Sequence, residues 1–331
     1  MWKRICITAT VLASAISASA QNPFVGRWAL TIPGDRAGWL GVTQEDGYLD
    51  ASVLWGGGSV VPSEAVWVDG DTLTVLRIHE VKRTVNGQVA RTQQYPELLV
   101  ATREGDTLKL KQVQPRENGK GVDTREFTGK LIPDLPPAPD LSKVKFGDKV
   151  ALFDGKDLNA WKLVEEKATN GWKVVDGVML NDARQEEGKP GKFFGNLRTV
   201  DEFTDFNLTL EVRVPKGSNS GVYLRGIYEV QVLDSFGQPL DSHNMGAVYS
   251  RIAPSVAAEK PSGEWQALDM TLVDRHVTVK LNGTTIIDNQ PVLGCTGGAL
   301  WSDEFRPGPI YLQGDHGVME YRNIFIRPVK D

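Results

Sequence analysis

Gly221-Val222-Tyr223-Leu224-Arg225 is followed, after two residues, by Tyr228-Glu229-Val230-Gln231-Val232-Leu233-Asp234. Both runs alternate aliphatic residues with polar or aromatic ones, the period of a β-strand with one buried face. Val222 and Leu224 share one side, and Val230 and Val232 share another. That parity sends Tyr223 and Arg225 outward from the first strand and Glu229 and Gln231 outward from the second. The hairpin is therefore expected to have an apolar inner face and an outer face carrying Tyr, Arg, Glu and Gln.

The same period recurs in both directions along the chain. In the C-terminal half, strand patterns fall at residues 172–175, 178–181, 206–214, 268–273, 276–281, 310–313 and 318–327. Asp176-Gly177 and Asn282-Gly283 supply tight-turn chemistry between successive runs. Many short strands with no amphipathic helices to cover a parallel sheet predict an antiparallel two-sheet jelly-roll sandwich. In the N-terminal half, strands are expected at 28–32, 48–55, 64–68, 72–78, 98–103 and 107–113. Asp69-Gly70-Asp71 and Glu104-Gly105-Asp106 read as hairpin turns between them. This half is expected to be a smaller antiparallel β domain, either a barrel or a sandwich. The chain is thus all-β.

Between the halves, residues 131–139 hold four prolines, Pro133, Pro136, Pro137 and Pro139. Proline fixes φ and donates no backbone hydrogen bond, so the segment reads as an extended, semi-stiff connector. The expected organisation is a leader at 1–20, a β domain at 21–135, a Pro-rich linker at 136–147 and the jelly roll at 148–331. Lys3 and Arg4, an apolar run at 5–16 and Ala18-Ser19-Ala20 make up the leader, a secretory signal with cleavage before Gln21. Its apolar run is too short to span a bilayer, so no membrane span is expected, and the product is expected to be periplasmic or secreted.

Composition narrows the function. Hydrophobic residues make up 40 % and charged residues 24 %, the balance of a globular protein. Loss of Lys3 and Arg4 moves the formal charge from −5 to −7, which argues against a nucleic-acid partner. Cys6 leaves with the leader and Cys295 stays alone, which excludes a disulfide framework and a cysteine-based zinc site. Gly56-Gly57-Gly58 lacks the following helix and lysine of a phosphate loop. Oligomeric state has no sequence signal.

In order along residues 150–329, a set of short stretches resembles the 3-keto-disaccharide hydrolase family, whose fold is a concanavalin A-like jelly roll. They are Leu152-Phe153-Asp154-Gly155-Lys156-Asp157-Leu158 with Trp161, and Trp172-Lys173-Val174-Val175-Asp176-Gly177. The central pair is Gly217-Ser218-Asn219-Ser220-Gly221-Val222-Tyr223-Leu224-Arg225 with the strand from Tyr228 to Asp234. Gly246-Ala247-Val248-Tyr249, Lys260-Pro261-Ser262-Gly263-Glu264-Trp265, Leu281-Asn282-Gly283 and Gly308-Pro309-Ile310-Tyr311-Leu312-Gln313 follow. Asp315-His316-Gly317 and Tyr321-Arg322-Asn323-Ile324 close the series. The N-terminal domain lies outside the resemblance.

The resemblance implies an enzyme acting on a carbohydrate whose 3-hydroxyl has been oxidised to a ketone. It implies cleavage of the glycosidic bond by hydrolysis or by elimination. A 3-ketone acidifies the hydrogen on C2, and the enolate formed by its removal can expel the glycosidic oxygen from C1. That route needs a base, an enolate stabiliser and an acid for the leaving group. Glu229 or His316 is the expected base, and Arg225 and Lys260 are the expected electrophilic helpers. Tyr223, Gln231, Asp234, His243, Gln313 and Asp315 are expected to bind the sugar. No cofactor is required by this scheme. Asp234, Asp241, His243, Asp315 and His316 could donate to a divalent ion, but no recognised ligand spacing is present and no metal site is assigned.

Two competing readings stay open. The same outer face would suit a lectin-like carbohydrate-binding protein, since fold does not fix function. A glycosidase acting on unoxidised sugar would need two facing carboxylates. Residue by residue, the bland alternatives are a surface ion pair between Arg225 and Glu229, a turn role for His316 and for His276, a core role for Trp265, and a solvated Lys260.

Overall fold

The computed structural model describes residues 22–185 and 191–330. The expected leader at 1–20 lies outside the described residues. Among them every regular element is a β-strand, and no helix is long and apolar enough to cross a membrane. The N-terminal unit holds β1 (Gly26–Ile32), β2 (Arg36–Gln44), β3 (Leu49–Trp55), β4 (Val61–Pro62), β5 (Ala65–Asp69), β6 (Thr72–Val85), β7 (Gln88–Glu104), β8 (Thr107–Pro115) and β9 (Val122–Ile132). These pair antiparallel in the order β4-β3-β2-β1-β9-β8-β7-β6-β5.

Strands β4 and β5 stand at opposite ends of that order yet only Ser63 and Glu64 separate them in the chain. The three Cα–Cα steps from Pro62 to Ala65 reach at most about 11 Å, so the sheet must curl until its ends meet. Ser63 N–H donates to Ala51 O on β3 at 2.8 Å, and Glu64 N–H donates to Leu76 O on β6 at 3.0 Å. Of the two expected forms, the unit is therefore a barrel. Its interior is filled by alternate residues of the strands, among them Trp28, Leu30, Leu40, Val53, Leu73, Val75, Leu99, Leu108 and Leu110. The two predicted turns carry positive φ at Gly70 (55°) and Gly105 (58°), and Asn86 (53°) with Gly87 (77°) makes a further tight turn, between β6 and β7, that lay outside the predicted strands.

Strands β6 and β7 run well past the predicted 72–78 and 98–103 and form a two-stranded ribbon. Their outer parts are exposed on both faces, so no apolar alternation marked them. There Arg83 reaches across to Gln93, Tyr95 and Glu117.

The C-terminal unit holds β10 (Val150–Phe153), β11 (Trp161–Leu163), β12 (Trp172–Val175), β13 (Val178–Asn181), β14 (Leu197–Thr199), β15 (Phe206–Arg213) and β16 (Asn219–Leu224). It continues with β17 (Tyr228–Leu233), β18 (Trp265–Val273), β19 (His276–Leu281), β20 (Thr284–Pro291), β21 (Tyr311–Leu312) and β22 (Met319–Pro328). One sheet runs β12-β13-β22-β15-β18-β19-β20 with β10 added on β22, and a second runs β11-β14-β21-β16-β17. The apolar faces meet in one core, with Leu208, Leu210, Val212, Met270, Val279 and Ile326 from the larger sheet against Val222, Leu224, Val230, Val232 and Leu312 from the smaller. Burying each such aliphatic side chain contributes roughly 1.5–3 kcal/mol. This is the expected jelly-roll sandwich. His276 begins β19 buried, with Nδ1 3.0 Å from Asp274 O, rather than sitting at a surface turn.

The barrel docks on the sandwich through a few large groups. Trp39 projects from the outside of β2 and lies under the Arg251 guanidinium, 4.2 Å from its ring centroid. Arg251 is anchored in turn to Cys295 O at 2.7 Å and Leu293 O at 3.3 Å. Gly294 has φ 126°, and a Cβ there would fall 2.4 Å from Trp39 Nε1. Burial pushes the Cys295 thiol up to about 12, so it stays protonated and unreactive near neutral pH. The proline segment lies on the same seam, where Arg275 Nη2 donates to Asp134 O at 3.2 Å and Asn289 Nδ2 donates to Pro139 O at 2.9 Å. Trp39→Ala is expected to leave a cavity and to cost about 3–5 kcal/mol, seen as a lowered midpoint in chemical denaturation of the full chain.

Candidate active site

In the smaller sheet β16 lies between β21 and β17, so Tyr223 is paired with Tyr311 on one side and with Glu229 on the other. Because Val222, Leu224, Val230, Val232 and Leu312 fill the core, their neighbours are forced to the opposite face. Those neighbours form the floor of a cleft of about 330 Å³, whose walls include Asn219, Tyr249, Gly297, Gly298, Gln313, Asp315 and His316. Larger hollows of about 500 and 450 Å³ follow the seam beside Trp39 and beside Ile132. Size does not choose the site. The convergence of acid, imidazole, tyrosines and amides does.

Glu229 lies at the bottom, 4 % exposed. Its backbone is fixed by donation from its N–H to Thr296 Oγ1 at 2.9 Å. Its carboxyl rests on Gly221, where a Cβ would come within 2.2 Å of Oε1. Only a residue without a side chain leaves that space. Burial pushes the Glu229 pKa up to about 8, opposed more weakly by the Tyr223 hydroxyl and by His316. Tyr223 donates to Gly297 O at 2.8 Å and stacks on Tyr311, with centroids 4.2 Å apart and planes at 15°. Burial holds both phenols protonated, well above their ordinary value.

His316 sits on the loop after β21 with Nδ1 2.6 Å from Asp315 Oδ1. That hydrogen bond raises its pKa despite partial burial, so the imidazolium form is favoured. The loop is clamped from beneath: Asn181 Nδ2 donates to Gly314 O at 2.9 Å and Gly317 O at 3.0 Å, and Gly314 N–H donates to Asn196 Oδ1 at 2.8 Å. Three buried amide oxygens of the cleft, on Asn219, Gln231 and Gln313, accept no hydrogen bond within the protein. Buried acceptors of this kind carry a desolvation cost of about 1–3 kcal/mol each, which a ligand rich in hydroxyl donors would relieve.

Of the residues singled out in the sequence, Glu229, His316, Tyr223, Gln231, Gln313 and Asp315 meet in this cleft. Arg225 does not. It occupies the turn after β16 with φ 56°, where the alternation stops, and its buried guanidinium donates to Glu304 O at 2.5 Å and Arg306 O at 2.8 Å. It forms neither an electrophile in the cleft nor a surface pair with Glu229. Lys260 lies before β18, exposed, with Nζ donating to Trp265 O at 3.2 Å, also outside the cleft. Asp234 caps the far end of the hairpin by accepting from Gly217 N–H at 2.8 Å. His243 does not line the cleft but packs edge-on against Tyr249, which does, with centroids 4.9 Å apart.

Residues that sequence reasoning left out are Asn219, Tyr311, Tyr249, the clamping pair Asn181 and Asn196, and Gly57 and Gly58 from the barrel, which also line the cleft. Tyr311 was readable from strand parity. Tyr249 arrives only because the 244–249 segment covers the free edge of β17: Gln231 N–H donates to Ala247 O and Tyr249 N–H to Glu229 O, at 2.9 and 3.0 Å. Among the described residues, no three His, Cys, Asp or Glu side chains gather as a metal-holding group.

A jelly roll with an acid–imidazole cleft on its smaller sheet defines a class, and comparison with known proteins gives the family. Residues 148–327 match the 3-keto-alpha-glucoside-1,2-lyase-like domain, and the chain belongs to that family. A 3-keto-disaccharide hydrolase of Bacteroides thetaiotaomicron is 29 % identical over 167 residues, covering 42 % of this chain and 57 % of that protein. The chain thus spans little more than half the length of that relative. A crystal structure of a candidate glycosyl hydrolase from Parabacteroides distasonis is 30 % identical, covering 60 % of this chain and 94 % of that one, with a TM-score of 0.45. Another from the same organism is 24 % identical, covering 55 % and 100 %, with a TM-score of 0.41.

Two outcomes are expected. Gly221→Ala should fold but displace the Glu229 carboxyl, seen as loss of the elevated carboxyl titration by NMR. Glu229→Gln should be the more stable protein above pH 8. The native state holds a proton on Glu229 between about 4.5 and 8 that the unfolded chain has lost, so wild-type stability falls across that window by a few kcal/mol. Melting curves from pH 5 to 9 would show the two proteins diverging as pH rises.

Proposed function

We propose that the chain cleaves the glycosidic bond of 3-keto-glycosides or 3-keto-disaccharides outside the cytoplasm, with Glu229 as the base at C2. The observation that carries this reading is the buried Glu229, with its pKa near 8, in a cleft that also holds His316. A carboxylate is usually too weak a base for a carbon acid. Burial makes this one stronger by raising its proton affinity, at the expense of the fraction ionised near neutrality.

Glu229 takes the hydrogen from C2, and negative charge moves to the O3 oxygen. His316, whose imidazolium form the Asp315 hydrogen bond favours, takes the place of Arg225 and Lys260 as the cation, and it neutralises either that oxygen or the departing glycosidic oxygen. Tyr223 and Tyr311 supply a flat aromatic wall, and the free amide oxygens of Asn219, Gln231 and Gln313 accept from sugar hydroxyls. Elimination would leave an unsaturated keto sugar, and addition of water would give the hydrolysis product. The residues assigned need no cofactor.

A lectin-like reading is supported by the same amides and tyrosines, which are binding features. Turnover separates the two. The purified protein, offered a disaccharide and its 3-keto derivative, should cleave the keto sugar alone, with product mass read by mass spectrometry. Glu229→Gln and His316→Ala should each lower the rate by about 10²–10⁴-fold. The wild-type rate should be bell-shaped in pH, rising as Glu229 ionises toward about 8 and falling where His316 loses its proton, and His316→Ala should lose the falling limb. No turnover of the keto sugar would leave the lectin-like reading.

A further inference from the structure

The cleft chemistry leaves one group of side chains unused, and it crosses the two units. After β3 the chain leaves the barrel through residues 56–60 and lies against the jelly roll. Gly298 N–H donates to Gly56 O at 3.2 Å, and Val60 N–H donates to Ser250 Oγ at 2.9 Å. In that position Ser59 Oγ stands 2.8 Å from His243 Nε2, and His243 Nδ1 stands 2.5 Å from Asp241 Oδ1. Asp241 also accepts from the His243 backbone N–H at 2.9 Å, which fixes the short segment that bears both residues.

These contacts set the protons. The hydrogen bond from His243 lowers the Asp241 pKa, so this group is a carboxylate at neutral pH. That carboxylate accepts a hydrogen bond from Nδ1, so in the neutral ring Nε2 carries the lone pair that faces the serine hydroxyl. Tyr249 Oη, 3.5 Å from Ser59 Oγ, is too distant to compete for that hydroxyl. Among the described residues, the backbone N–H groups of Gly57, Gly58 and Ser59 make no hydrogen bond, and Gly57 and Gly58 line the cleft. Nucleophile, base and orienting carboxylate therefore stand in the order that acyl transfer requires, with the unbonded amides of Gly57 and Gly58 adjacent in the chain.

We propose that Ser59, His243 and Asp241 form a second catalytic centre, an esterase at the edge of the cleft that removes short acyl groups from hydroxyls of a carbohydrate. The alcohol half of that substrate rests on the sugar reading of the cleft. The ester chemistry rests on the triad alone. Ser59 Oγ bonds to the acyl carbon while its proton passes to His243 Nε2. The ester C–O bond breaks, and the sugar hydroxyl leaves with that proton. Water then adds to the acyl carbon, giving a proton to His243 that returns to Ser59 as the carboxylic acid departs. Asp241 acts as a positioning residue throughout.

The test uses the full chain, a fluorophosphonate probe and p-nitrophenyl acetate. The probe should attach at Ser59, located by peptide mass mapping, and the acetate should be hydrolysed. Ser59→Ala should lower hydrolysis by on the order of 10³-fold. His243→Ala should abolish labelling, and Asp241→Asn, which keeps shape but removes charge, should slow it by about 10²-fold or more. Folded wild-type protein that takes up no probe at Ser59 overturns the proposal whatever the variants do. So does full ester hydrolysis by Ser59→Ala. No step of this test involves a keto sugar, so its outcome is independent of the turnover assay.

Discussion

The structure depends on the two-residue period of β16, β17 and β21. Five aliphatic side chains from these strands close the core of the sandwich, and the register leaves their neighbours no other direction than the cleft. A hydrophobic requirement on one face thereby places a carboxyl, two phenols and an amide on the other. Because the 244–249 segment and the barrel loop cover that face, the polar groups are held out of water. Their perturbed protonation follows from this geometry and not from any neighbouring cation.

Much of this was legible in the sequence. Alternation located the central strands, Asp-Gly and Asn-Gly located the tight turns, and parity put Tyr223, Glu229 and Gln231 on one face. Parity failed at Arg225 because a left-handed backbone at that residue ends the strand one position early. Lys260 lies in a loop, where no period constrains direction. The outer ribbon of β6 and β7 escaped notice because neither of its faces is apolar, so the alternation that signals a strand is absent. Asn181 and Asn196 act through backbone carbonyls and amides more than 100 residues away, a relation with no local signature.

The Gly56-Gly57-Gly58 run illustrates a different limit. Its sequence context lacks the helix and lysine of a phosphate loop. Its placement beside Asn219 and Gly297 arises only when Trp39 is packed under Arg251 and the barrel is seated. The proline segment reads as a boundary, and among the described residues the two units share no strand pairing. The cleft nevertheless takes wall from both.

At the narrowest point of that wall Gly297 faces Gly58, and a Cβ on Gly297 would fall 2.1 Å from Gly58 O. Backbone meets backbone there with nothing in between. The two halves are therefore not freely interchangeable parts. A jelly roll of this kind joined to a different partner would keep its acid and its imidazole yet lose one side of the chamber, and the range of molecules admitted would change without any alteration to the reacting groups. The choice of what enters is in this sense inherited from the neighbour.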